Sequence, residues 1–105
     1  MSDLKNHVQF IADRLSNGFA DEVNSDGDPM NAFDYLADAL YIEYVVDGKC
    51  EYLGARVLVA FGGPNIWINT RTNTVEGAWR GDSANATFTD NIDLDDALSE
   101  MWECR

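Results

Sequence analysis

Tyr41-Ile-Glu-Tyr-Val-Val46 is where the hydrophobic pattern of this chain changes period, and that change decides the fold class. Upstream of it, apolar residues recur every three or four positions, the spacing of one face of an α-helix. From Tyr41 onward they alternate, or run through β-branched and aromatic residues, as strands do. Asp47-Gly48 follows as a hairpin signal. Residues 52–61, Tyr-Leu-Gly-Ala-Arg-Val-Leu-Val-Ala-Phe, then put Leu53, Ala55, Val57, Val59 and Phe61 on one face of a second strand. Gly62-Gly-Pro-Asn65 breaks that run, and Ile66-Trp-Ile-Asn-Thr70 begins a third. Arg71-Thr-Asn73 is a turn, Thr74 to Arg80 a fourth strand, and Asn85 to Thr89 a weak fifth strand or an extended loop. Connections this short join neighbouring antiparallel strands, so the pattern predicts a meander.

The flanks read as helices. Leu4, Val8, Ile11 and Leu15 form one helical stripe, closed by Asn17-Gly18 as a C-terminal cap. After an acidic loop over 21–28, Asp28 reads as an N-cap with Pro29 at the first helical position. Met30, Phe33, Leu36, Ala37 and Leu40 then give a second short stripe, and Asp93 to Glu103 a last helix on Leu94, Ala97, Leu98 and Met101. The expected fold is α+β, a single domain over 1–105. It has two N-terminal helices, an antiparallel four- to five-stranded meander and a C-terminal helix, in the order ααββββα.

Charge narrows the function classes. The chain holds 19 acidic and 7 basic residues, a formal charge of −12, well beyond the roughly 2–8 that suffices for solubility of a small domain. Asp21 to Glu51 carries nine carboxylates against Lys49, and Asp90 to Glu103 six against none. With 46% hydrophobic residues the chain can still bury a core, which sets it apart from charged disordered segments. Such a field repels nucleic acid and anionic membrane and attracts basic partners, so neither direct nucleic-acid binding nor membrane binding is expected. Met1-Ser-Asp-Leu-Lys-Asn-His7 has no basic region leading into an apolar run, and the expected compartment is the cytoplasm with Cys50 and Cys104 reduced.

The carboxylates themselves form patterns. Asp93, Asp96, Glu100 and Glu103 recur at steps of three, four and three opposite the apolar stripe of the last helix. Neighbours at that spacing are about 5–6 Å apart and repel by a few tenths of a kcal/mol per pair. Glu100 and Glu103 also fall in the last turn, where the helix dipole disfavours them and where no lysine compensates. Asp34 and Asp38 make a second pair at a step of four, approached by Asp21, Glu22, Asp26 and Asp28. One reading is an ordinary solvated face. The other is a partner-binding surface whose rows of carboxylates stand in for phosphates, since duplex DNA presents one charge per ~1.7 Å of axis to the basic grooves that hold it. Alternation on the third strand adds Trp67 as a candidate interface anchor if Ile66 and Ile68 face inward.

No catalytic constellation accompanies these surfaces. His7 is the one histidine, with no serine or cysteine nucleophile at recognisable spacing, and neither cysteine has a zinc-ligand partner. Asn24, Asp26 and Asp28 alternate like the start of a calcium loop. Pro29 and Tyr35, however, occupy the places where the loop's glycine and bidentate glutamate belong. No lysine or helix follows the Gly62-Gly63 loop as a phosphate site requires. The expectation is a non-enzyme with no cofactor and no metal.

Phe61-Gly-Gly-Pro-Asn-Ile-Trp-Ile-Asn-Thr70, with Val75-Glu-Gly-Ala-Trp79 and Gly81-Asp82, resembles small acidic proteins carried by phages and other mobile elements of bacteria. Inhibitors of host defence nucleases, some of them DNA mimics, are common among those proteins. The resemblance therefore implies an anti-CRISPR or anti-restriction inhibitor of a basic nucleic-acid-handling protein, acting in a bacterial host cell. An immunity protein or antitoxin for a nuclease toxin has the same physics. A module that binds through the sheet, by Trp67 and Tyr44, is the alternative in which acidity serves only solubility.

Overall fold

The computed structural model describes residues 3–19 and 22–105. Helix α1 spans Asp3–Asn17 and α2 spans Ala32–Ala37. Strands β1 (Tyr41–Val46), β2 (Tyr52–Ala60), β3 (Asn65–Asn69), β4 (Thr74–Trp79) and β5 (Asp82–Thr87) follow, and α3 (Leu94–Glu103) ends the chain. The strands pair in sequence order, every neighbour antiparallel, as a five-stranded meander. The α+β class, the antiparallel sheet and the C-terminal helix agree with the sequence pattern. The second helix is shorter than its stripe implied.

The sheet buries one face only. Cross-strand pairs Val57–Ile68, Ile68–Val75 and Ile66–Gly77 lie on that face, where Val57, Ile66, Ile68 and Val75 are fully buried. Helix α1 covers β4 and β5, α3 covers β2, and α2 packs on α3. Leu4, Val8 and Leu15 of α1 and Leu94 and Leu98 of α3 join the sheet residues in one core. The shortest dimension of the molecule is 24 Å, enough for one sheet and one layer of helices. The other face of the sheet stays in solvent.

Two bulges correct the reading of β2. Pairing skips Leu53, between Val45–Gly54 and Val46–Tyr52, and skips Val59, between Leu58–Trp67 and Ala60–Ile66. Each extra residue reverses the alternation beyond it. Ala55 and Val57 face the core as expected, whereas Leu53 is exposed and Phe61 is 72% exposed. The fifth strand begins at Asp82 rather than Asn85, because Arg80 (φ 52°) and Gly81 (φ 83°) both take positive φ and turn β4 into β5 in two residues.

The helix ends also differ from expectation. Gly18, at φ 80°, donates its N–H to Arg14 and caps α1 as the sequence implied. Asp28 and Pro29 do not start α2. Pro29 instead pairs with Val23 in an isolated antiparallel bridge, and Asn24 and Met30 donate to the carbonyls of Asp28 and Glu22. The N-cap is Asn31, whose side chain accepts from the Asp34 N–H while Asp34 accepts from the Asn31 N–H, a reciprocal capping box. With α2 reduced to six residues, Ala32 and Leu36 are buried while Phe33 and Leu40 of the expected stripe are exposed.

Gly77 sets how closely α1 approaches the sheet. A β-carbon there would stand 2.6 Å from Val8 Cγ2 and 2.9 Å from Leu4 Cδ1, inside contact distance of two buried side chains. Gly77→Ala is expected to lower unfolding stability by about 1–3 kcal/mol, the cost of overpacking a filled core. A denaturant melt unchanged by the substitution would mean that α1 does not rest on β4 as described.

Candidate functional site

Helix α3 places all but one of its carboxylates on the side away from the sheet, Asp95 being the exception. On α3, Leu94, Ala97 and Leu98 are buried, which turns Asp96, Glu100 and Glu103 outward, all exposed. Asp93 is exposed too, but it is not the helical residue that the pattern predicted. It precedes the helix at φ 57° and makes no side-chain cap. The capping is done by Asp90, whose Oδ1 and Oδ2 accept the N–H groups of Leu94 and Asp95 at 2.8 and 3.0 Å. At the other end, Arg105 Nη1 donates to the Trp102 carbonyl at 2.5 Å, with its guanidinium over the Trp102 ring at 3.5 Å. The helix C-terminus is therefore compensated by a cation just beyond the last turn. Glu100 and Glu103 nevertheless enter none of the ion pairs among the described residues.

Helix α2 is a ridge between two grooves. Ala32, Phe33, Ile92 and Ala97 line the groove shared with α3, of about 320 Å³, and Asp93, Asp96 and Glu100 stand along it. The groove on the other flank, of about 350 Å³, is bordered by Asp34 and Asp38 together with Val23, Asn24 and Met30. Asp34 is committed there, because its Oδ2 accepts from Asn31 N and from Asn24 Nδ2 at 3.1 and 3.2 Å. Asp38 is exposed at the C-cap of α2.

The remaining acids of the 21–28 approach separate. Asp21 lies outside the described residues. Glu22 accepts both Nε and Nη2 of Arg14, at 3.1 and 2.5 Å, so it belongs to an internal pair. That contact holds its carboxyl below the usual range and raises Arg14, whose guanidinium also lies against the Phe19 and Tyr35 rings. Asp26 and Asp28 are exposed, and their N–H groups both donate to Asn24 Oδ1. The alternating Asn24-Asp26-Asp28 motif is thus a backbone turn held by Asn24. No group of three or more His, Cys, Asp or Glu arranged to hold a metal occurs among the described residues.

Trp67 belongs to a different surface. Ile66 and Ile68 face the core, so Trp67 points from the open face of the sheet, half-buried. Arg56 lies over its ring at 4.2 Å and reaches Glu43 and Glu76 at 3.4 and 3.7 Å, while Tyr41 meets the ring edge-on at 6.4 Å. The sheet separates Trp67 from every helical carboxylate, and one partner face cannot use both sets. Tyr44, expected beside Trp67, faces the helices instead and packs on Trp102 and Tyr52. Glu76 lies across the sheet from α1, and so from His7, and the groove at the β5 edge joins Asp82 to Lys5 and Ser83.

Tyr52 and Asp95 tie the acidic helix to the sheet. The Tyr52 hydroxyl donates to Asp95 Oδ1 at 2.7 Å. Burial, and then this bond to a carboxylate, push the phenol well above its ordinary range. Sequence alone gave no sign of the pair, whose members are 43 residues apart. Set against protein-family models, curated proteins and solved structures, the chain matches none of them. No helix among the described residues is long and apolar enough to cross a membrane.

Because folding raises the Tyr52 pKa, the stability it contributes is complete below the unfolded value of about 10 and is lost as pH climbs through the folded value. Tyr52→Phe is expected to cost about 1–2 kcal/mol at neutral pH and to flatten the alkaline fall of stability. Melts of both proteins across the alkaline range measure this. Parallel curves would show that the bond does not hold α3 to β2.

Proposed function

We propose that the protein is a non-enzymatic acidic inhibitor of a basic nucleic-acid-handling protein, such as a CRISPR effector or a restriction nuclease, in the cytoplasm of a bacterial cell. The outer faces of α2 and α3 bind it. The observation that carries this reading is how four of the five arginines are used. Arg14 pairs with Glu22, Arg56 with Glu43 and Glu76, Arg80 lies over Trp79 and Arg105 over Trp102. None of the ion pairs among the described residues includes Asp93, Asp96, Glu100 or Glu103. A rigid helix held on a core thus keeps a row of unneutralised carboxylates in solvent.

Such a row attracts a basic channel at long range and speeds encounter with it. Once docked, it occupies positions that phosphates take, and the partner's own lysines and arginines supply the neutralisation. An immunity protein for a nuclease toxin would work by the same contacts. The Arg56–Trp67–Tyr41 cluster favours a second reading, in which a partner docks on the open sheet face through an aromatic anchor and salt has little effect.

Immobilised wild-type chain is expected to retain a basic nucleic-acid-binding protein from nuclease-treated bacterial lysate and to release it well below about 0.5 M salt, where exposed charges are screened. The combined Asp96→Lys, Glu100→Lys and Glu103→Lys variant should retain it at least ~100-fold less, since opposed like charges cost several kcal/mol. Retention by the triple variant, with loss on Trp67→Ala, would move the interface to the sheet.

A further inference from the structure

We infer that the groove between α2 and α3 is the docking site for an amphipathic basic segment of the partner, one that sets arginines beside apolar side chains. This inference rests on the acidic-inhibitor reading and narrows it. The groove is not a purely charged surface. Its floor is Ala32, Phe33, Ile92 and Ala97, and Phe33 stays 45% exposed although it is on a helix packed against the core. Asp93, Asp96 and Glu100 stand along the same groove, outside every ion pair among the described residues.

That combination selects the occupant by charge and by polarity together. A neutral apolar segment would strip water from three carboxylates without pairing them, which is costly. A hydrophilic polycation would satisfy the carboxylates and leave Phe33 and Ile92 wet. An arginine meets both demands, because its aliphatic stem covers apolar surface while its planar head binds carboxylates in two directions. Asp96 and Glu100 are one helical turn apart, about 5–6 Å between their β-carbons, a span that one guanidinium can bridge. An apolar neighbour of that arginine then covers Phe33. The groove on the other flank of α2 lacks these properties, since its Asp34 already accepts two hydrogen bonds from within the chain.

Two fluorescent peptides of equal length and equal arginine content test this on the full chain. One carries leucines between its arginines at helical spacing, and the other has serines in those places. Anisotropy at low salt is expected to give about tenfold tighter binding of the leucine peptide, as one added apolar contact provides. Phe33→Ala should erase that preference and leave the affinity for the serine peptide as it was. Glu100→Gln should weaken both peptides. Equal binding of the two peptides, or a preference that survives Phe33→Ala, would overturn the groove as the docking site while leaving the acidic face as a general attractant. Absence of binding by either peptide would overturn both the groove and the reading beneath it.

Discussion

The one-sided sheet constrains everything else in this molecule. Ile66, Ile68, Val57 and Val75 bury one face, and alternation sends Trp67, Arg56 and Glu76 to the other. Helices α1 and α3 cover the same apolar face, with α2 packed on α3, and α1 can approach it closely because Gly77 has no side chain. With α3 laid on that face and α2 packed on α3, their polar sides form an outer surface. Asp96, Glu100 and Glu103 of α3 face solvent because the opposite stripe of the helix holds the core together. Packing and surface charge are thus two results of one pattern, and the charge is presented on a rigid element.

Three of the arginines are committed to contacts within the chain. Arg14 closes the segment after α1 through Glu22 and two aromatic rings, Arg56 binds three strands of the open face together, and Arg105 ends α3. Used this way, they hold structure and leave the helical face unneutralised. The mutual repulsion on α3 costs only a few tenths of a kcal/mol per pair, well within what the burial of Leu94 and Leu98 offsets. A protein tolerates such a face cheaply, so the row of acids gains functional weight mainly from the apolar groove beside it and from the direction in which the arginines point.

The elements with clean periods were legible in the sequence. Helix α1 with its Gly18 cap, strands β1, β3 and β4, and the buried stripe of α3 follow from spacing alone, because a long amphipathic pattern has one way to bury its apolar side. What escaped depends on single residues in uncommon backbone states or on distant contacts. The bulges at Leu53 and Val59 leave no compositional mark, and they exposed Phe61. Arg80-Gly81 makes a turn usually written Asn-Gly, so β5 read as starting three residues late. Pro29 looked like a helix start until Asn31 and Asp34 supplied a better one. Among the site residues, the outward set of α3 was readable, whereas the pairing of Glu22 with Arg14 and of Asp34 with Asn24 rests on partners eight and ten residues away. Phe33 falls in the apolar stripe of the sequence, and it is exposed beside Asp96 because Ala32 and Leu36 are the positions of α2 turned to the core.

The central claim is that the face of α2 and α3 takes the place of nucleic acid on a basic partner. Competition tests it most directly: the affinity of the captured partner for labelled duplex DNA, measured at rising concentrations of this chain. The account predicts that the apparent Kd for DNA increases in proportion to the chain's concentration, with no complex containing all three. A ternary complex, or DNA binding unchanged when the partner is saturated with this chain, would contradict it.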